Sequence, residues 1–280
     1  TLSEALVLGL VEQDVRTFVV VFGHGSTEIG EVLRVYRQAG VVRVVPVRHE
    51  IEASHAAAAL RWVTGQKAAV VTSIGPGALQ AMAASIAPAS DGIGVWYLFG
   101  DETTEDEGYN MQQIPKPEQN LFLQLTSVLG RSYSLHTPLS IATALRRGQA
   151  TVDHPYRQGP FFLLMPMNTQ PAQIPEFNLE ELPVSTPVSY GSAPDGYTQA
   201  ADWICAAQRV VVKVGGGARQ CGSELGELLE LADATLVHTP IASGAIPYSN
   251  PRNMGVGGSK GSISGNFAME NADLDRKSVV

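Results

Sequence analysis

The 280-residue sequence has few cysteines, few charged residues and no excess of basic ones. Its two cysteines, Cys205 and Cys221, are too few for a disulfide framework, which favours a reducing compartment. The 19 lysines and arginines are outnumbered by 27 aspartates and glutamates, so neither nucleic acid nor an anionic membrane is expected as a partner. No apolar run approaches the ~18 residues that span a bilayer, and the N-terminus lacks the basic start of a signal peptide. We therefore expect a cytoplasmic protein.

Apolar residues, which make up 44% of the chain, are concentrated in continuous β-branched or aromatic runs. These runs predict strands at residues 18–22, 41–47, 67–72, 93–99 and 161–165. Strands that are apolar throughout are buried on both faces, which is typical of a parallel sheet covered by helices. Amphipathic spacing predicts helices between them, at residues 27–38, 51–63 and about 78–87. The predicted fold class is therefore α/β, with a parallel sheet flanked by helices.

A change in composition predicts a second domain. Five prolines lie among polar residues between Pro171 and Asp195, which is typical of an interdomain linker. We therefore expect a first domain at residues 1–172, a linker at 173–195 and a second, incomplete α/β domain at 196–280. In that second domain the pattern predicts a strand at residues 208–214, a helix at 223–232 and a strand at 234–239.

Two features follow successive predicted strands at the positions where a parallel sheet binds ligands. Glu50 follows the second run, and ligand crevices open at the carboxyl ends of such strands. Alternatively, Glu50 is an acid at a helix N-terminus that interacts with the helix dipole. The next run ends in the turn Ser73–Gly77, whose glycines would let the backbone approach a ligand closely. Alternatively, this is an ordinary strand-to-helix turn with Pro76 at the helix start.

The histidines and the second glycine-rich turn also have two interpretations. His24, between two glycines after the first strand, could transfer a proton to a substrate carbonyl or orient it, or be an exposed turn residue. We interpret His49 as structural and place His55 in the core. Gly215–Gly217 lacks the spacing of a dinucleotide site, which favours a plain strand-to-helix turn. Cys221 has no metal-binding spacing and is interpreted as a packed thiol.

Several motifs together resemble the thiamine-diphosphate enzymes of the acetolactate synthase superfamily. The motifs, which occur in the family's order, are residues 22–25, 48–50 followed by 56–59, 72–78 and 111–114. With His55 they are most similar to the trihydroxycyclohexanedione hydrolases of inositol catabolism. The resemblance continues from Val214–Gly217 through Gly257 to Leu274, as in the first part of the family's central domain. It therefore covers nearly the whole chain.

The resemblance implies a pyrimidine-binding domain in which Glu50 hydrogen-bonds the aminopyrimidine ring of thiamine diphosphate and activates the cofactor. The other implied site residues are Gly75, Pro76 and Gly77 at the ring, His24 as a catalytic group, and Gly25 and Gln112 at the active-site loop. The family acts on C–C bonds next to a carbonyl, and hydrolysis of a cyclic 1,2-diketone is the closest match. The alternatives are an acetolactate-synthase-like decarboxylase or carboligase, and a non-catalytic regulatory or scaffolding subunit.

The family binds the diphosphate through Mg²⁺, using a Gly-Asp-Gly motif and a downstream asparagine. Gly100-Asp101-Glu102 lacks the second glycine and lies in the wrong domain, so we predict no metal ligands in this chain. The resemblance then implies that a second polypeptide or a missing segment supplies them. The expected assembly is a homo- or hetero-oligomer that acts on a small carbonyl substrate.

Overall fold

The computed structural model describes residues 1–105, 112–115, 118–175, 177–185 and 194–277, without the side chains of 194 and 274–277. The chain divides into two compact units, residues 1–187 and 188–280. Each unit contains a parallel sheet, so the predicted α/β fold class is confirmed. No helix in the described ranges is both long and apolar enough to cross a membrane.

The first unit is built on a six-stranded parallel sheet with helices on both faces. Its elements are α1 (Leu2–Glu12), β1 (Val15–Val21), α2 (Thr27–Gln38), β2 (Arg43–Pro46), α3 (Glu50–Thr64), β3 (Lys67–Thr72), α4 (Pro76–Asp91), β4 (Val95–Asp101), α5 (Leu121–Thr126), β5 (Arg131–Ser134), α6 (Ile141–Val152) and β6 (Pro160–Pro166). The strand order is β2-β1-β3-β4-β6-β5. All five predicted strands are present, whereas α1, α5, β5 and α6 were not predicted.

The sheet separates two apolar cores because the side chains of each strand alternate between its faces. In β4, Trp96 and Leu98 pack in the core that also contains α1, α2 and α6. Tyr97 and Phe99 pack in the opposite core, with α3 and α4. Leu182, within the predicted linker, is also buried in the first of these cores. This central strand therefore has the fully apolar sequence expected of a strand covered on both faces.

The prediction that the run before Glu50 forms a buried strand was wrong. β2 lies at the edge of the sheet, with Arg43 and Pro46 exposed and the two valines between them half-buried. Proline suits such an edge because it has no N–H for a further strand to pair with. The strand ends at Pro46, and Glu50 is the first residue of α3. His49 caps that helix by accepting a hydrogen bond from the Ile51 N–H at Nδ1, over 3.2 Å, in agreement with its structural interpretation.

The second unit contains a four-stranded parallel sheet in the order β10-β7-β8-β9. Its elements are α7 (Pro194–Ala206), β7 (Val210–Val214), α8 (Gly222–Leu231), β8 (Thr235–His238), β9 (Asn253–Val256), α9 (Ile263–Asn271) and β10 (Leu274–Lys277). Val212, Leu229 and Leu236 lie in its apolar core. Cys221 is exposed, so its interpretation as a packed thiol was wrong. It immediately precedes α8, at the unit's surface rather than in its core.

Candidate functional site

The candidate site lies at the carboxyl edge of the first sheet. All the strands run in one direction, so the loops after them meet at one edge. His24 follows β1, Glu50 follows β2 at the start of α3, and the turn Ser73–Gly77 joins β3 to α4. β4 ends at Asp101, and Glu102 comes next. The topology therefore gathers polar groups from four strand ends.

Glu50, Ser73 and Gly77 form the first cluster at this edge. Glu50 is half-buried, and its position at the start of α3 also favours a negative charge near the helix dipole. A β-carbon added at Gly77 would overlap Ser73 Oγ and would lie 3.1 Å from Glu50 Oε1. Gly77 therefore packs directly against Ser73 Oγ and the Glu50 carboxylate, and a side chain there would displace the hydroxyl and crowd the carboxylate.

Gly75 and Pro76 form the turn that leads into α4. Gly75 has φ +65°, a conformation that favours glycine, and an added β-carbon would lie 2.6 Å from the Gln113 carbonyl oxygen. Pro76 occupies the first helical turn, where its missing N–H has no cost. A cavity of about 410 Å³ opens beside this turn, and Leu79, Ile114 and Leu125 contribute to its lining. The turn is therefore both tightly constrained and next to apolar space.

His24 and Glu102 form the second cluster. His24 Nε2 lies 3.1 Å from Glu102 Oε1, and the backbone N–H of Gln112 donates to the same oxygen over 2.8 Å. The Glu102 side chain is only 4% exposed, whereas that of His24 is 28% exposed. His24 is therefore anchored from one side and open on another, rather than a free turn residue. Gln112 participates through its backbone, and the residue itself is exposed.

Asp101 adds a second acid next to Glu102. The pKa of Asp101 is raised to about 6, mainly by burial; the hydrogen bond that the Glu102 N–H donates to Asp101 lowers it, and the neighbouring Glu102 charge raises it. That hydrogen bond, to Oδ1, measures 3.0 Å. A carboxyl group with this pKa can hold or release a proton near neutral pH.

The turn that carries His24 is fixed by a close backbone approach. Gly25 has φ +76°, and a β-carbon added at Gly100 would lie 2.6 Å from the Gly25 carbonyl carbon. Gln170 is buried, and its Nε2 donates to the carbonyl oxygens of Gly25 and Met165 over 2.7 and 2.8 Å. The Ile74 N–H donates to the His24 carbonyl over 3.0 Å. The backbone on both sides of the imidazole is therefore held in place.

The structure brings most of the predicted residues together in two clusters joined by Ser73. A β-carbon added at Gly23, next to His24, would lie 2.9 Å from the Ser73 β-carbon, and Ser73 also contacts the space at Gly77. His55 is exposed, so its placement in the core was wrong, and Met111 lies outside the described residues. Sequence reasoning missed the roles of Glu102 and Gln170. Glu102 did carry a signal, because it is an acid directly after a buried apolar strand.

Two family models match the chain. The model described as the thiamine pyrophosphate enzyme N-terminal TPP binding domain matches residues 1–121, and the thiamine pyrophosphate enzyme central domain matches residues 197–274. The chain therefore belongs to the thiamine pyrophosphate (thiamine diphosphate) enzymes and carries their N-terminal and central domains, as the motifs predicted.

The chain is also similar to curated acetolactate synthases and to a trihydroxycyclohexanedione hydrolase. It is 28% identical over 284 residues to the acetolactate synthase isozyme 3 large subunit of Escherichia coli K12, covering 97% of this chain and 47% of the relative. It is 24% identical over 282 residues to 3D-(3,5/4)-trihydroxycyclohexane-1,2-dione hydrolase of Clostridium perfringens ATCC 13124, with coverages of 95% and 43%. The chain thus spans less than half the length of these relatives.

The first cluster fits the pyrimidine half of the cofactor. An aminopyrimidine ring needs a hydrogen-bonding carboxyl group, and the half-buried Glu50 next to the backbone of Gly77 can supply one. For the diphosphate half of the cofactor, which the family binds through Mg²⁺, the described part of the chain offers no comparable cluster of residues. Within those ranges, no group of three or more histidine, cysteine, aspartate or glutamate side chains could hold a metal ion.

Proposed function

We propose that this chain forms one half of a thiamine-diphosphate-dependent enzyme that cleaves or forms C–C bonds next to a carbonyl group. The observation that carries the proposal is the half-buried Glu50 carboxylate, which lies next to Gly77 and Ser73 on the carboxyl edge of the sheet. When bound, the cofactor supplies a nucleophilic carbon that attacks carbonyl groups and stabilises the negative charge that develops.

The residues of the first cluster have separate tasks in this proposal. Glu50 hydrogen-bonds the pyrimidine ring and shares a proton with one of its nitrogens. Gly77, which has no side chain, lets the ring approach the backbone. The constrained turn at Gly75 and Pro76 fixes the position of the first turn of α4. Ser73 lies between the clusters, next to both Gly23 and Gly77.

For the substrate, we propose a cyclic 1,2-diketone that is hydrolysed. The motif match to the trihydroxycyclohexanedione hydrolases supports this choice, and so does the anchored His24, which can transfer the protons that hydrolysis requires. An acetolactate-synthase-like decarboxylase or carboligase is the second candidate. The 28% identity to acetolactate synthase large subunits favours it.

We further propose that the diphosphate and Mg²⁺ are held by a second polypeptide or by another segment of a longer chain. The resemblance supports this division, because the family's cofactor lies between two domains that supply different contacts. The assembly would be a homo- or hetero-oligomer. The large-subunit designation of several relatives is compatible with a hetero-oligomer, although it describes those proteins.

Substitution of Glu50 by glutamine tests the proposed function. Glutamine keeps the shape and a hydrogen bond but cannot exchange the proton, so turnover by the complete enzyme should fall at least ~10²-fold while the fold is unchanged. Glu52→Gln is the matched control, because Glu52 is an exposed acid in the same helical turn. Normal turnover in Glu50→Gln would refute the role of Glu50. Failure of the complete, cofactor-loaded protein to turn over any carbonyl substrate would favour a non-catalytic subunit.

A further inference from the structure

The His24–Glu102 pair has a geometry that the cofactor contacts do not require. Two donors converge on Glu102 Oε1, namely the Gln112 backbone N–H at 2.8 Å and the His24 ring at 3.1 Å. A backbone N–H can only donate, so the oxygen acts as an acceptor toward it. With the carboxylate ionised, the His24 contact requires a hydrogen on Nε2. The pair therefore selects one tautomer of the neutral imidazole.

The second ring nitrogen is left for another partner. Among the described residues, none forms a hydrogen bond with His24 Nδ1, and this nitrogen is not one of the buried side-chain atoms that lack a partner. The Glu102 side chain is almost fully covered, whereas that of His24 is partly exposed. The exposed part of the imidazole is therefore the part that does not contact Glu102. The backbone hydrogen bonds at His24 and Gly25 restrict movement of the ring's attachment point. Nδ1 is thus presented at the carboxyl edge.

We infer that Glu102 is a positioning residue that holds His24 with Nε2 protonated, so that His24 exchanges protons with the substrate through Nδ1. This inference rests on the proposed function and names its proton-transfer group. The substrate class is a carbonyl compound whose reaction uses the O–H of a water molecule or of a hydroxyl group. Nδ1 accepts the proton of that O–H, whose electron pair stays on oxygen, and the Glu102 carboxylate balances the charge of the imidazolium. The same proton returns from Nδ1 to the product.

Glu102 itself is too buried to touch a substrate, and its other neighbour supports the anchoring role. The Glu102 N–H donates to Asp101 Oδ1 over 3.0 Å, so the backbone at the strand end is held as well as the side chain. Glu102 also ties the segment that begins at Gln112 to the end of β4. If Glu102 had a purely structural role, it would only connect the Gln112 segment to the end of β4. The tautomer of His24 distinguishes this structural role from the positioning role.

The test is ¹⁵N NMR of the histidine rings in the full 280-residue chain without cofactor, with the His24 signals assigned from a His24→Gln variant. In the unsubstituted chain, at a pH where His24 is neutral, the Nε2–H tautomer should dominate. Glu102→Gln is nearly isosteric and should convert the signal to a mixture of tautomers, whereas Glu102→Asp should largely retain it. Glu105→Gln, an exposed acid of the same segment, is the control and should change nothing.

A dominant Nδ1–H tautomer, or the same tautomer in Glu102→Gln as in the parent, would overturn the inference. In the complete enzyme, Glu102→Gln should lower kcat at least ~10-fold with little change in KM, because positioning acts on the proton-transfer step. An unchanged kcat would overturn the catalytic use of the pair. Because the NMR measurement needs no cofactor, it can fail or succeed independently of the Glu50 experiment.

Discussion

The carboxyl edges of the two parallel sheets differ in how their glycine-rich turns are used. In the first unit, Gly75 has a positive φ, and a β-carbon there would meet the backbone of Gln113. In the second unit, Gly215 has φ −110° and ψ −175°, an extended conformation that any residue adopts. A β-carbon added at Gly216 would meet side chains rather than backbone, at 2.9 Å from Ile241 Cδ1, 3.3 Å from Ile241 Cγ1 and 3.4 Å from Arg219 Nη1.

The difference between the two turns shows under which conditions a glycine-rich turn indicates a ligand-binding site. At the first edge, glycine is required by backbone geometry at Gly75 and by close packing against Ser73 and Glu50 at Gly77, and further acids lie at the neighbouring strand end. At the second edge, the described neighbours of Gly216 can rotate away. A run of glycines in a sequence therefore says little until its surroundings are known. Three substitutions test this contrast.

Asp101→Asn should have the largest effect, and the effect should depend on pH. Because the pKa of Asp101 is raised to about 6 in the folded chain, ionisation is disfavoured there, and the folded state loses stability as the pH rises from about 4 through 6. Asparagine removes that penalty. A rise of about two pKa units corresponds to a gain of up to about 3 kcal/mol in the free energy of unfolding above pH 7, with little gain below pH 4.

Urea unfolding of the parent and of Asp101→Asn at several pH values checks this prediction. The fluorescence of Trp96, which is buried in the first unit, reports on the relevant core. Glu105→Gln serves as the exposed control. A difference between parent and Asp101→Asn that stays constant across the pH range would show that Asp101 is not buried in the way described.

Gly77→Ala should have an intermediate effect, on the cofactor rather than on the fold. The added methyl group would displace Ser73 Oγ and crowd Glu50 Oε1, so thiamine diphosphate should bind the complete enzyme about tenfold more weakly, or by about 1.4 kcal/mol. Gly226→Ala, in a helix where an added β-carbon meets nothing within 4 Å, is the control. Equal affinity in Gly77→Ala and the parent, measured by titration, would make the turn merely structural.

Gly216→Ala should have the smallest effect. The backbone of this turn needs no special conformation at Gly215, and Ile241 can adopt another rotamer, so stability should change by no more than about 0.5 kcal/mol. Thiamine diphosphate affinity should also be unchanged. Thermal unfolding and the same titration provide the comparison, and a large loss in either would erase the contrast between the two turns.

The fold and the first cluster could be predicted from the sequence because they depend on local patterns. Continuous apolar runs located the central strands, and the order of short motifs located Glu50 and Gly77. The partial exposure of β2 could not be predicted in this way, because a pair of valines such as Val44 and Val45 occurs in edge strands as well as in central ones. Edge position is a property of strand order, which a single run does not encode.

The second cluster depends on contacts between distant parts of the chain. His24 and Glu102 are 78 residues apart and follow strands that are not neighbours in the sheet, with β3 between them. Gln170 reaches Gly25 across 145 residues. The sequence singled out His24, but its pairing with Glu102 and the contact of Gln170 with Gly25 arise only when the topology brings the strand ends together. The wrong placement of His55 has a related cause, since an alanine-rich helix gives little indication of which face is covered.

The most direct test of the central claim is the rate of hydrogen–deuterium exchange at thiazolium C2 of thiamine diphosphate bound to the complete enzyme. This rate measures cofactor activation alone, without any substrate step. If Glu50 shares a proton with the pyrimidine ring, Glu50→Gln should slow the exchange at least ~10²-fold, while Glu52→Gln exchanges at the parent rate. An exchange rate in Glu50→Gln indistinguishable from that of the parent would contradict the account.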